Sequence, residues 1–241
     1  MIEVRSLTER GQFEEVVRLQ KTIWGFDDID LLPVRLFVVA SHIGGQVLAA
    51  YHSDRMIGFC VAIPGVKPGG QVYLHSNMLG VVSEYHDRGV GRALKLFQRT
   101  EALARSIQLI EWTFDPLQIK NAYFNIERLG AVIRRYAENQ YGTTTSPLHG
   151  GLPTDRCIAE WWLASERVES VLSGRPVDRR VEARIEVPAD IETTRKTDPG
   201  KAREIQQRVR EQFQRFFGEG LAVTGFERTP EAGCYLLGPW Q

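Results

Sequence analysis

Residues 72–107 place a strand, a glycine turn and a helix in immediate succession. "VYLHSNMLGVV" is extended, "SEYHDRGVG" turns, and "RALKLFQRTEAL" carries a helical stripe of Ala93, Leu96, Thr100, Leu103 and Ile107, with Leu94, Phe97 and Ala104 beside it. A strand feeding directly into an amphipathic helix commits the chain to layers of helix on sheet. The segments around this unit agree. "MIEVRSL", "QVLAAYH", "RMIGFCVAIPG", "LIEWTFD", "AVIRRYAENQYG" and "RCIAEWWLAS" read as strands, and helices stand between several of them. Thr8 is placed to cap the first helix, Gly44-Gly45 to stop the second, and Gly130 to stop "IKNAYFNIERLG". Residues 143–155, "TTTSPLHGGLPTD", read as a polar loop. Asp198 and Pro199 open a long helix as cap and first residue, and "LAVTGFER" and "CYLLGPW" form a closing hairpin. The class is α/β (α+β) with a mixed sheet.

The turn holds two glycines, Gly89 and Gly91, at the start of the helix. A helix start offers unpaired N–H groups and partial positive charge, and glycine lets a ligand approach the backbone, so the expected guest is an anion. No Lys-Ser or Lys-Thr follows, as a triphosphate loop needs, and the position three beyond Gly91 is Leu94 where a dinucleotide loop needs glycine. A pyrophosphate held without a metal-bound triphosphate is what remains, and coenzyme A carries one. A glycine turn that only packs helix on strand is the plain alternative.

Charge and cysteine content narrow the partners. Thirty basic residues balance thirty acidic ones among 241, which argues against nucleic acid or an anionic membrane surface. Cys60, Cys157 and Cys234 lie far apart, so neither a disulfide framework nor a metal site is expected, and the spacing fits a reducing cytoplasm. No run of 18 apolar residues occurs, and the N-terminus has no apolar leader.

The order of strand, turn, helix, strand "LIEWTFD" and helix "NAYFNIERLGA" resembles the GNAT superfamily of N-acyltransferases over roughly residues 1–165. The family's loop, [QR]-x-x-G-x-[GA], corresponds to His86-Asp87-Arg88-Gly89-Val90-Gly91, with His86 where Arg or Gln is usual. The resemblance implies a mostly antiparallel central sheet flanked by helices and an acyl-CoA-binding catalytic domain at 1–165; beyond it, "ERVESVLSG", "VEARIEVP", the long helix and the closing hairpin read as an αβαββ extension at 166–241. That extension would cover the acceptor pocket or form a homodimer contact. It implies acyl-CoA, acetyl or succinyl, as co-substrate, held by the backbone of Val81 and Val82, the loop from His86 to Gly91, Arg92, and Asn121 or Asn125. "LHSNMLGV", "EWTFDPL", "NAYFN" and "GLPTDR…EWWL" further resemble a bacterial branch linked in part to N-succinylation of D-amino acids. A small-molecule amine would then be the acceptor.

Amine attack on a thioester needs a base, and no Asp or Glu lies between Gln71 and Ser83. His75, with Ser76 beside it as a substrate contact, is the candidate, because an ordinary imidazole titrates near neutrality. Asp115 is the other candidate base or amine binder. The family's general acid is a Tyr four residues before the last glycine, where this chain has Ile126; Tyr123, a turn earlier, is the substitute. Arg156, or one of Arg134 and Arg135, would meet an acceptor carboxylate, although Asp155 offers Arg156 a local partner. A non-catalytic acyl-CoA-binding module and a protein acetyltransferase are the competing functions.

Overall fold

The computed structural model describes residues 1–142 and 151–240, so residues 143–150 of the expected loop lie outside it. Two units separate within β5 (Leu109–Phe114): Met1–Glu111 and Trp112–Gln241.

The first unit orders its strands β1 (Ile2–Ser6), β2 (Gln46–His52), β3 (Arg55–Val66), β4 (Val72–Val81) and the first half of β5. Successive pairs are antiparallel up to β4, whereas β4 and β5 are parallel. Parallel neighbours need a crossover, and α3 (Val90–Ala104) supplies it. α1 (Arg10–Trp24) starts one residue later than the sequence suggested. Gln12 accepts from the N–H groups of both Thr8 and Glu9, which makes Glu9 the cap. Phe13, Val16 and Leu19 of α1, Phe37 of α2 (Val34–His42), and Leu48, Ile57, Phe59 and Leu94 build an apolar core. Each large side chain buried there contributes about 1.5–3 kcal/mol.

β4 contains a bulge that matters for the site. Val61 pairs with Met78 and Ala62 with Ser76, so Asn77 is an extra, exposed residue. Before it, Ser76 points at Lys95 of α3. After it, Leu79 lies against Gly91 of α3, while Gly80 lies against Trp24 and Ile23 of α1. The bulge thus exchanges which alternate residues face α3.

The second unit begins with the end of β5 and α4 (Ile119–Tyr123), which runs on into a π-helical turn at Phe124–Arg128 and stops at Gly130, φ +81°. Its strand order is β7 (Arg156–Trp162), β6 (Val132–Ala137), β9 (Leu221–Arg228), β10 (Ala232–Pro239) and β8 (Ala183–Pro188), with each of these neighbouring pairs antiparallel. α5 (Glu166–Ser173) follows β7. A short helix, α6 (Ile191–Thr197), precedes α7 (Pro199–Gly218), so the extension runs αβααββ, one helix more than expected. Asp198 caps α7 through Lys201 N–H, with Pro199 in the first turn as the sequence indicated. Among the described residues no helix is long and apolar enough to cross a membrane.

Residues 166–241 do not stand apart at 165/166. Ile133 of β6 pairs with Val223 of β9, Tyr235 donates to the Pro116 carbonyl at 2.7 Å, and Arg210 binds the buried Asp155. Phe213 of α7 stacks on Tyr136 and meets Tyr235 edge-on. The extension therefore shares one core with residues 112–165.

Candidate active site

The turn between β4 and α3 takes its shape from backbone conformation. Asp87 and Gly89 have φ of +59° and +79°, and Gly89 is the helix cap. The first intrahelical bond runs from Ala93 N–H to the Gly89 carbonyl, so the N–H groups of Val90 and Gly91 precede the ladder. The His86 side chain turns back onto the strand end. Its Nε2 donates to the Val81 carbonyl at 2.8 Å and ties the turn to the end of β4. Arg88 lies 5.4 Å above the Tyr85 ring, and Tyr85 hydroxyl meets His52 Nδ1 at 2.6 Å.

β4 leaves β5 early. The parallel register covers Leu74↔Ile110 and His75↔Glu111, and β4 continues for six residues beyond. Val82 donates its N–H to the Ile57 carbonyl at 3.0 Å, which assigns its backbone to β3 and corrects the expectation that Val82 serves a ligand. By alternation, the N–H of Val81 and the polar groups of Leu79 face the other edge, while the Val81 carbonyl is taken by His86. Leu79 is a residue that the sequence did not single out.

His75 is half-buried on the face opposite α3. Burial is the main cause holding its pKa below the ordinary 6.5; Lys95 and Lys67 push the same way and the carboxylate of Glu111 opposes them. The imidazole is therefore neutral at pH 7. Glu111 is almost fully buried and binds Lys67 at 2.5 Å, with the ammonium also 4.6 Å from the Tyr73 ring centroid. Neither Glu111 nor Lys67 was chosen from the sequence. A lone acid inside the apolar run "LIEWTF" was the available signal.

Ser76 does not accompany His75. It points to the α3 side, where its hydroxyl meets Lys95 Nζ at 3.1 Å and lies 3.6 Å from Cys60 Sγ. Lys95 also donates to Gln98 Oε1 at 2.7 Å, and Gln98 reaches Cys60. Burial lowers the Lys95 pKa to about 8, with Cys60 opposing. Ser76 thus belongs to a buried polar cluster under α3, which corrects its assignment as a substrate contact.

In the second unit Asp115 is spent structurally. Its Oδ2 accepts from Arg195 at 2.6 Å and its Oδ1 from Leu117 N–H at 2.8 Å, with both charged side chains buried. Both oxygens are thus engaged by neighbours within the second unit. Asn121 donates to Gln118, and Asn125 is buried beside the fully buried Ile126. The Tyr123 ring lies 5.3 Å from the Arg228 guanidinium. Arg156 lies 5.4 Å from the Tyr141 ring, and Asp155 pairs with Arg210 instead of Arg156. Adjacent residues of a regular strand point to opposite faces, which is why only one of Arg134 and Arg135 was expected to serve an acceptor. A bulge between Ile133 and Arg135 brings both onto Glu160, at 2.5 and 3.1 Å.

No protein-family model matches the chain, and no curated protein matches it in sequence. Solved structures do match in fold. A GNAT-family acetyltransferase from Streptococcus pneumoniae is 14% identical with a TM-score of 0.52, covering 66% of this chain and 98% of its own. NAA60 of Arabidopsis thaliana in complex with acetyl-CoA is 15% identical with a TM-score of 0.55, covering 67% and 99%. The ribosomal-protein-S18-alanine N-acetyltransferase of Escherichia coli is 18% identical with a TM-score of 0.52, covering 69% and 97%. The fold is the mixed α/β fold of the GNAT acetyltransferases, with a mostly antiparallel sheet flanked by helices.

Proposed function

We propose that the chain is an acyl-CoA-dependent N-acyltransferase acting on a small-molecule amine. The observation that carries this is β4: it parts from β5 after His75 and runs into the glycine turn at the start of α3. The pyrophosphate sits on the N–H groups of Val90 and Gly91 and the pantetheine lies along the Leu79–Val81 edge. The similar fold of a protein bound to acetyl-CoA supports the donor. In the reaction the amine nitrogen bonds to the thioester carbon, the oxyanion collapses, and the C–S bond breaks to release CoA thiolate. Neutral His75 takes the proton from the attacking nitrogen. Tyr123 is the hydroxyl available to protonate the thiolate. The acceptor is a free amino acid whose carboxylate is met by Arg156, and the acyl group is acetyl or succinyl. An acyl-CoA-binding module without turnover is the second reading, favoured by Ile126 in the place of the family's Tyr and by the locked Asp115.

Thiol release from acetyl-CoA and succinyl-CoA with pooled amino acids tests these readings, alongside CoA calorimetry. Release dependent on both substrates is expected. Binding without release leaves the module, and absence of CoA binding removes both.

A further inference from the structure

The second unit carries an open pocket of about 480 Å³, within the roughly 300–1,000 Å³ typical of small-molecule sites. Three segments meet there: Leu117–Asn121 at the start of α4, the β8–α6 turn at Ala189–Glu192, and the β9–β10 turn at Arg228–Ala232. Two of the three belong to the extension. Its apolar wall consists of Leu117, Ile119, Ile191 and the alanines at 189 and 232, and Leu117 and Ile191 are almost wholly buried.

The charged lining is two cations, Lys120 and Arg228, against one acid, Glu192. Glu192 is itself drawn toward a third cation, because its Oε1 lies 3.6 Å from Nη1 of Arg195. Arg195 is buried, and neither Nε nor Nη1 has a hydrogen-bond partner among the described residues. Arg228 is exposed and rests on the Tyr123 ring, a contact that leaves its donor fork able to turn to a ligand. An apolar wall under a cationic rim selects a molecule with a hydrocarbon body and an anionic end.

We propose that this cavity is a binding site for a small amphipathic carboxylate, with the carboxylate on Arg228 and the hydrocarbon against Leu117, Ile119 and Ile191. The site is assembled by the extension and gives residues 166–241 a role of their own. It does not depend on the acyltransferase reading, since the probe carries no CoA.

Octanoate and octanamide, titrated into the full chain by calorimetry, test it. Octanoate binds, and octanamide binds at least about tenfold more weakly, because it cannot form the charged pair. Arg228→Met reduces octanoate affinity to that of the amide. Ala232→Trp, which fills the cavity, abolishes binding of both, with circular dichroism confirming a folded chain. Absence of octanoate binding in the wild type would overturn the proposal. So would equal affinity for acid and amide, or an octanoate affinity unchanged in Arg228→Met; should Ala232→Trp not fold, the Arg228→Met comparison decides alone.

Discussion

Lys95→Met removes a buried ammonium while keeping a side chain of similar length, and the structure gives the expected size of the effect. Lys95 titrates at about 8 in the folded chain and ordinarily at 10.5, with burial the main cause. The folded-state pKa is depressed, so the contribution is fully present above 10.5 and is lost as pH falls through 8. Between those values the unfolded chain holds a proton that the folded one does not, and stability rises with pH. The difference of 10.5 and about 8, at about 1.4 kcal/mol for each tenfold step, amounts to roughly 3 kcal/mol. Buried thiols act in the opposite sense. Burial raises the pKa of Cys60, Cys157 and Cys234, so their contribution is lost as pH climbs past the ordinary thiol value. This loss is common to wild type and variant and cancels in the difference, except at Cys60, whose titration responds to Lys95. The comparison is therefore made in a Cys60→Ala background. Urea unfolding at a series of pH values from about 7 to 10.5 should show the chain that keeps Lys95 gaining on the Lys95→Met variant by up to about 3 kcal/mol. A difference that stays flat across that range would refute the assignment of a desolvated ammonium to this position.

Gly89→Asp places a carboxylate in open space at the helix start, whereas Gly89→Asn places its uncharged isostere there at the same φ of +79°. Calorimetry should show CoA affinity at least about tenfold lower for Asp than for Asn if an anion binds at this point; equal affinities would remove the pyrophosphate from this loop. His75→Ala should lower kcat/KM by about 10²–10⁴ with CoA affinity preserved. Because the His75 pKa is held below its ordinary value, the wild-type rate should fall only below about pH 6.5. Asp115→Asn should cost about 3–5 kcal/mol of stability by stranding the buried Arg195, and a stable but inactive variant would return Asp115 to catalysis. Arg156→Met should raise KM for an amino acid far more than for its amide; equal effects would show that Arg156 does not read the carboxylate.

The features legible in the sequence were those that a backbone imposes locally. Gly89 was found because a left-handed cap needs glycine, and Asp198-Pro199 because a helix start needs an acceptor and tolerates a missing N–H. Long-range pairing was not legible. Asp115 looked available because its partner lies 80 residues away, and Ser76 looked like a neighbour of His75 because adjacency in sequence says nothing of which helix each face meets. Arg134 and Arg135 were misread for a related reason: strict alternation was assumed where the strand carries an extra residue. The pairing of β6 with β9 across the expected 165/166 boundary was not legible either, because the two strands lie far apart in the chain.

Asn77 makes β4 a strand whose arithmetic matters more than its chemistry. On one side of that residue even positions meet α3, and on the other side odd positions do. Exchange of the exposed Asn77 side chain alters little of this arrangement. Straightening the bulge with the residue kept would turn one half of the strand inside out, bringing either the imidazole of His75 under α3 or Gly80 away from the Trp24 indole that only a glycine admits, whereas loss of the residue itself would restore regular alternation and leave both faces in place. Along this stretch the strand can shorten by its one extra residue, because Ser76 and Met78 already oppose successive residues of β3. Two descendants of one ancestor could differ by that single residue and still set Ser76 under α3 and Gly80 against the Trp24 indole.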